Sequence, residues 1–197
     1  MRNIKSIILF SISVSLACLL SSCAKHLDNN NTRTENYYRG NPRYISDYNS
    51  KVIGLERFHV AQNQKMLEIV NKELTVGRKK SHWIWYIFPQ IKGLGASSAS
   101  EYYGIYSLEE ARQYLEDSVL SDRLIKHTGL VLNFRNSRTL EQIFGSIDRQ
   151  KFISSMTLFN QASIVNGVNN SIFNRALQAF NNGREDAKTL QILGLLN

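Results

Sequence analysis

Residues 83–88 read Trp-Ile-Trp-Tyr-Ile-Phe, an unbroken run of apolar and aromatic side chains. Burying one large apolar side chain is worth about 1.5–3 kcal/mol, so a run of this kind draws a core around itself. Its surroundings are as dense. Residues 77–95 hold both tryptophans of the chain, the consecutive cations Arg78, Lys79 and Lys80, and then His82 and Pro89. The run itself has two readings. Aromatic and β-branched content favours a buried strand. Ser81 as an N-cap and Pro89 as a stop favour a short buried helix. Periodicity does not separate them.

The sequence on either side is helical in pattern. Leu55, Phe58, Gln62, Met66, Ile69, Val70 and Leu74 recur at spacings of three and four, which predicts one amphipathic helix from near Ile53 to a stop at Gly77. Gln62 sits on that apolar face and requires a hydrogen-bond partner. Gly93 to Gly95 predicts a turn, and Ser97 or Ser98 caps a short helix through Tyr102 and Tyr103. Ser107 and Glu110 have capping-box spacing ahead of Ala111, Tyr114 and Leu115. A further helix is expected over 119–134, with Leu120, Leu124, Val131 and Phe134 inward. Thr139 caps a brief turn carrying Ile143 and Phe144, closed by Gly145, and Asp148 is the expected cap of the next helix. The segments around Phe173 and Leu190 complete the pattern. No hairpin signal and no internal repeat is present. The expected fold is all-α: one compact domain of six or seven helices over 51–197.

Both cysteines, Cys18 and Cys23, precede that domain, so packing rather than a disulfide must hold it. They belong to a leader. Arg2 and Lys5 form a positive n-region, and 6–20 is an apolar run too short and too serine-rich for a comfortable membrane span, which needs about 20 apolar residues. Leu20-Ser21-Ser22-Cys23 then resembles the bacterial lipobox. That resemblance implies a signal peptide over 1–22, diacylglycerol on the Cys23 thiol, cleavage before it, and acylation of the new amino group, with palmitate as the expected chain. The rival is an ordinary secretory signal in which Cys23 is incidental. Two or more acyl chains, at about 0.8 kcal/mol per buried methylene, anchor a protein stably. Ala24 rather than aspartate follows the cysteine, which by resemblance to Gram-negative sorting rules favours the outer membrane over the inner. The Asn-rich stretch to residue 50, with its Gly40-Asn41-Pro42 turn signal, reads as a flexible tether reaching ~30 Å.

Charge is uneven along the chain. Residues 24–100 carry 12 Lys+Arg against 6 Asp+Glu, whereas 101–197 carry 10 of each. A basic excess suits anionic surfaces. No alternating basic and aromatic stripe accompanies it, so a solvated face is the preferred reading and no nucleic-acid partner is expected.

A longer set of residues carries a family resemblance. It begins with Leu55-Glu56-Arg57-Phe58 and Ala61-Gln62. It continues through Gly77-Arg78-Lys79, Ser81-His82-Trp83, Trp85, Phe88-Pro89-Gln90 and Gly93-Leu94-Gly95. Glu110-Ala111, Tyr114-Leu115, Ile143-Phe144-Gly145 and Ser154-Ser155-Met156-Thr157-Leu158-Phe159 follow, then Gly183, Asp186 and Thr189. Together these resemble the domain-of-unknown-function family 1810, whose members are sometimes mislabelled calpastatin. The resemblance implies a mainly helical fold, which tips 83–88 toward helix, and it carries over no catalytic role. Two departures stand out. Family members are typically free-standing, without a lipoprotein leader, and Asp117, Ser118 and Ser121 stand where the family tends to show His, Pro and Gly.

The candidate site residues are Arg78, His82, Trp85, Gln90, Asp148 and Lys151. His82 is the best acid–base candidate, since imidazole titrates near 6.5, but no second His, Cys or paired carboxylate is spaced to assist it. A structural histidine bonded to a backbone carbonyl is the favoured alternative. Arg78 and its neighbouring lysines suit an anion such as phosphate, or simply a solvated charge run. The aromatics 83–88 suit stacking of a base or sugar, or simply the core, which is the commoner use. Gln90 and Ser97 beside them need polar partners. Asp148 and Lys151, at i and i+3, pair with each other or serve a ligand. Ser155 and Thr157 are expected to bond back to the preceding turn. No metal is expected, because His26, His59, His82 and His127 lack ligand spacing. No cofactor is implied either. Two functions follow: a lipid-anchored envelope protein with a binding or interaction domain, its partner a small anionic ligand or an envelope protein, or an enzyme or sensor for a small phosphate-bearing, nucleotide-like ligand.

Overall fold

The structure is a computed structural model and describes residues 54–196. The expectations for the signal peptide, Cys23 and the tether lie outside the described residues. Among the described residues there are nine helices and no strand. They are α1 (Glu56–Ala61), α2 (Gln64–Val76), α3 (Ile84–Ile87), α4 (Ser98–Tyr103), α5 (Leu108–Glu116), α6 (Ser118–Leu132), α7 (Leu140–Val165), α8 (Ile172–Asn181) and α9 (Ala187–Ile192). The all-α class is as expected. The helices exceed the expected six or seven, because short stretches such as α3 are helical and the first amphipathic stretch divides in two.

That division has a local cause. Asn63 is an N-cap: its side chain accepts the Met66 amide at 3.1 Å and starts α2 afresh. Gln62, just before it, turns inward. Its Nε2 donates to the Tyr86 carbonyl at 2.7 Å and the Tyr114 hydroxyl at 3.0 Å, the partners that a buried glutamine demands. Helix α2 ends as expected at Gly77, which is left-handed (φ 69°) and packed so closely on the Phe134 ring that a Cβ would stand 2.7 Å from it.

The run 83–88 is helical, not extended, but Ser81 does not cap it. Trp83 occupies the N-cap without a side-chain bond, and Ser81 is held instead by Glu73. Ser97 and Thr139 cap α4 and α7. Ser107 caps α5, yet its capping box is half-made: Glu110 turns away to Arg57 and to the Tyr106 amide. Gly145 (φ 83°) breaks α7 early, and Asp148 lies inside the helical run after the break rather than capping it.

Past the break, α7 is the axis of the domain. Phe152, Met156, Leu158, Phe159 and Ala162 are all buried, and so are Ser154, Ser155, Thr157, Asn160 and Ser163 between them. A helix buried on every side needs neighbours on every side, and α3, α5, α8 and α9 supply them. Its polar groups are mostly paid locally: Thr157 and Ser163 bond back to the Ile153 and Phe159 carbonyls at 3.0 and 2.8 Å. Ser155, expected to do the same, has a buried hydroxyl with no partner among the described residues.

His127 on α6 gives the fold a pH response. It is buried, its Nε2 meets Asn71 Oδ1 at 3.2 Å, and its Nδ1 has no partner among the described residues. Burial, with Lys126 and Arg123 nearby, pushes its pKa from 6.5 down to about 4. The folded state therefore keeps the ring neutral while the unfolded chain protonates. Stability is full above pH 6.5 and falls between there and about pH 4, by about 3 kcal/mol from this group alone. Urea titrations across that window should show a shallower pH slope for His127→Gln than for the wild type; equal slopes would place the response elsewhere.

Candidate functional site

The site is organised by Glu73, in the last turn of α2. Its carboxylate accepts the Lys80 amide and the Trp83 Nε1–H, each at 2.8 Å, and both the amide and the hydroxyl of Ser81. Burial alone would raise this carboxyl, but the donors around it prevail and hold its pKa below the ordinary 4.5. The 77–83 loop is thereby wrapped onto the end of α2. A main-chain bond from the Lys79 amide to the Ile143 carbonyl, 2.7 Å, ties the same loop to the first turns of α7.

This wrapping turns Lys79 inward. Its side chain is 7 % exposed, its Nζ lies 2.6 Å from Asp148 Oδ2, and it stands 5.2 Å from the Trp83 ring centre. Asp148 Oδ1 accepts from Lys151 Nζ at 2.6 Å, and Lys151 stands 5.2 Å from the Trp85 ring centre. One carboxylate thus bridges two ammonium groups, each set against one tryptophan. Burial would raise Asp148, but the hydrogen bonds and charges of Lys151 and Lys79 prevail and hold it below its ordinary 3.8. At neutral pH the triad carries one uncompensated positive charge.

Lys151 opens onto a cleft of about 570 Å³, within the range of small-molecule sites. The cleft is lined by Trp85, Gln90, residues 94–97 and Ser100 of α4, by Ile147, Gln150 and Lys151 of α7, and by Asp186, Ala187 and Lys188 at the start of α9. A recess of about 10 Å³ shares Trp85 and Gln90 with the cleft and is also lined by Ile91, Tyr103 and Gly104; it is the size of one water molecule. Its frame is rigid: the Gln90 carbonyl accepts the Ile105 amide at 2.8 Å and the Ile105 carbonyl accepts the Lys92 amide at 2.7 Å. Two polar groups here are uncommitted. The Trp85 indole N–H is buried without a partner, and the Gln90 amide side chain makes no hydrogen bond among the described residues.

Asp186 brings a carboxylate to the cleft whose oxygens are already engaged by neutral donors. Its Oδ1 accepts from Gln150 at 2.8 Å, and its Oδ2 accepts from Ser154 at 3.1 Å and from the Thr189 hydroxyl and amide at 2.6 and 3.0 Å. It caps α9 and stitches it to α7.

Of the six residues singled out in the sequence, the structure brings Trp85, Gln90 and Lys151 to the cleft, with Asp148 behind Lys151. Arg78 and His82 are exposed and line neither cleft nor recess. His82 is tied in only through its carbonyl, which accepts the Tyr86 hydroxyl at 3.3 Å. Sequence reasoning passed over Glu73, Gln150 and Lys188, and it favoured a solvated charge run for Lys79, which the structure turns inward onto Asp148. Nothing local marks Glu73 or Lys188. Lys79 stands in an ordinary charge run, and only its long-range partner sets it apart.

The sequence profile of a family described as "Protein of unknown function (DUF1810)" matches residues 52–193. Among solved structures, the domain is similar to the conserved hypothetical protein Rv1873 from Mycobacterium tuberculosis. The two share 44 % identity with a TM-score of 0.64, over 71 % of this chain and 96 % of that one. A comparison with curated proteins finds no match.

Proposed function

For this chain, which belongs to the DUF1810 family of proteins of unknown function, we propose the role of a lipid-anchored envelope protein whose helical domain binds a small anionic molecule in the cleft. One observation carries the binding half: an aromatic ring, an uncommitted amide and an ammonium group, from Trp85, Gln90 and Lys151, converge on one concavity of about 570 Å³. Among the described residues, the lining contains no histidine or cysteine. His82, the acid–base candidate, lies outside it, which favours binding over proton-transfer catalysis.

The test is a thermal-shift screen of residues 24–197 against anionic metabolites, each beside its neutral counterpart. A ligand at 100 times its dissociation constant adds about 2.7 kcal/mol of stability. Lys151→Met should remove most of that gain. A screen flat for every compound counts against the cleft as a binding site.

The anchoring half rests on the sequence: the n-region of Arg2 and Lys5, the apolar run and Leu20-Ser21-Ser22-Cys23. The outer membrane is the proposed destination. In cells fed radioactive fatty acid, the wild type should carry label and Cys23→Ser should carry none, the variant leaving the membrane fraction. An unlabelled wild type, or equal label on both, would sink the proposal.

A further inference from the structure

We infer that the cleft ligand is a phosphomonoester with a flat organic body, its phosphate at Lys151 and Lys188 and its body against Trp85; this rests on the binding role proposed above and names the ligand class.

The charge comes first. Two cations and one anion line the cleft, and Asp186 has both oxygens engaged by Gln150, Ser154 and Thr189. Asp148, the other nearby carboxylate, is shared between Lys79 and Lys151. Lys188 is exposed and has no ion pair among the described residues. Lys79, Lys151 and Lys188 set against Asp148 and Asp186 leave one positive charge, the ammonium groups at the cleft being Lys151 and Lys188, and a ligand that satisfies it is an anion. Among the described residues, no arginine lines the cleft. Arginine's planar fork takes carboxylate or phosphate in bidentate fashion, and ammonium groups bind phosphate without it, as point charges.

The body comes second. A cleft of about 570 Å³ is far larger than an inorganic anion needs. Trp85, Leu94 and Ile147 line the space around its cations. Ile147 is 75 % exposed and adds apolar surface to the lining that Trp85 and Leu94 begin. A flat ring fits beside an indole, and the Gln90 amide offers a donor and an acceptor to its edge.

Asp148 then has a further meaning: it is the counter-anion that Lys151 already holds. An incoming phosphate competes with it for the same ammonium group. Asp148→Asn keeps the shape and removes the negative charge, so it should tighten phosphate binding about fivefold. A residue that served only to position Lys151 would have the opposite sign.

The chain has two tryptophans, and they report separately. Trp83 is sealed in the core with its N–H on Glu73, whereas Trp85 lines the cleft beside Lys151. Indole fluorescence of the full chain, purified in detergent, would be titrated with AMP, flavin mononucleotide and pyridoxal phosphate. Each is paired with its dephosphorylated form, and inorganic phosphate and glycerol 3-phosphate serve as anions without a flat body. The expected result is that at least one flat phosphomonoester binds tenfold or more tighter than its dephosphorylated form and than either small phosphate. Lys188→Gln, at an exposed position where folding is not at stake, should weaken that ligand about fivefold and leave its dephosphorylated form unmoved. Equal binding of phosphorylated and dephosphorylated forms overturns the inference and leaves the cleft as a binding site. Glycerol 3-phosphate matching the best phosphomonoester removes the role given to Trp85 and points to a lipid headgroup. Should no flat phosphomonoester bind while another anion from the broader screen does, the ligand class is wrong. If that screen is also empty, the binding role itself fails.

Discussion

Glu110→Ala should lower the unfolding free energy by about 3–5 kcal/mol, the loss expected when one half of a buried ion pair is removed. Arg57 and Glu110 meet at 2.7 Å with side chains 0 % and 7 % exposed. Arg57 also donates to the Gly54 and Gly104 carbonyls, both at 2.9 Å, and its guanidinium lies 4.3 Å from the Phe58 ring centre. Glu110 accepts the Tyr106 amide at 2.7 Å with its other oxygen. The pair thus ties α1 to the chain entering α5. Without Glu110, the guanidinium keeps its bonds to the Gly54 and Gly104 carbonyls but loses the buried carboxylate that pairs with its charge. A loss of this size lowers Tm by about ten degrees or more in a domain of this length. The cause is the stranded charge rather than the worth of the pair, so Arg57→Met combined with Glu110→Met should recover most of the loss. Guanidinium denaturation of wild type, single and double variants checks both statements. A single-variant loss below about 1 kcal/mol, the scale of a surface pair, would mean that solvent reaches the site.

Phe88→Ala should cost a similar amount, about 3–5 kcal/mol, by a different route. Phe88 is fully buried between α3 and Pro89, and its ring is packed edge-on against Phe152 at 4.9 Å and Phe144 at 5.9 Å, with Trp83 at 6.3 Å. Removing the ring opens a cavity that these rigid neighbours cannot fill, since Phe144 and Phe152 are already stacked on each other. Phe88→Leu, which keeps most of the volume, should lose much less. The measurement is the denaturation midpoint, with an unchanged slope showing that only stability moved. If the alanine variant lost under 1 kcal/mol, the cluster would have to collapse around the gap. Phe88 also lies in the chain between Trp85 and Gln90, so this variant should weaken any cleft ligand as well.

These residues show where sequence reading succeeds. The run 83–88 was legible as core, and Trp83, Ile84, Tyr86, Ile87 and Phe88 are buried. Its helical form was not legible from propensity, because four helical residues are too few to show a period. Gln62 on an apolar face signalled a buried partner, but Tyr86 and Tyr114 were beyond naming. The Ser107–Glu110 spacing predicted a capping box, yet Glu110 had a stronger customer in Arg57. A local rule lost there to a long-range charge.

The sequence by itself determined what depends on neighbours a few residues away: the all-α class, the caps Ser107 and Thr139, the stop at Gly77, and the family. Helical periodicity and capping are written within one or two turns, so they survive without a fold. Only the tertiary structure decided that Glu73 wraps the 77–83 loop, that Lys79 and Lys151 share Asp148, and that Arg78 and His82 stay outside the cleft. Those outcomes depend on which distant backbones approach one another. Electrostatic and packing energies fix that choice in three dimensions, and a linear spacing does not record it.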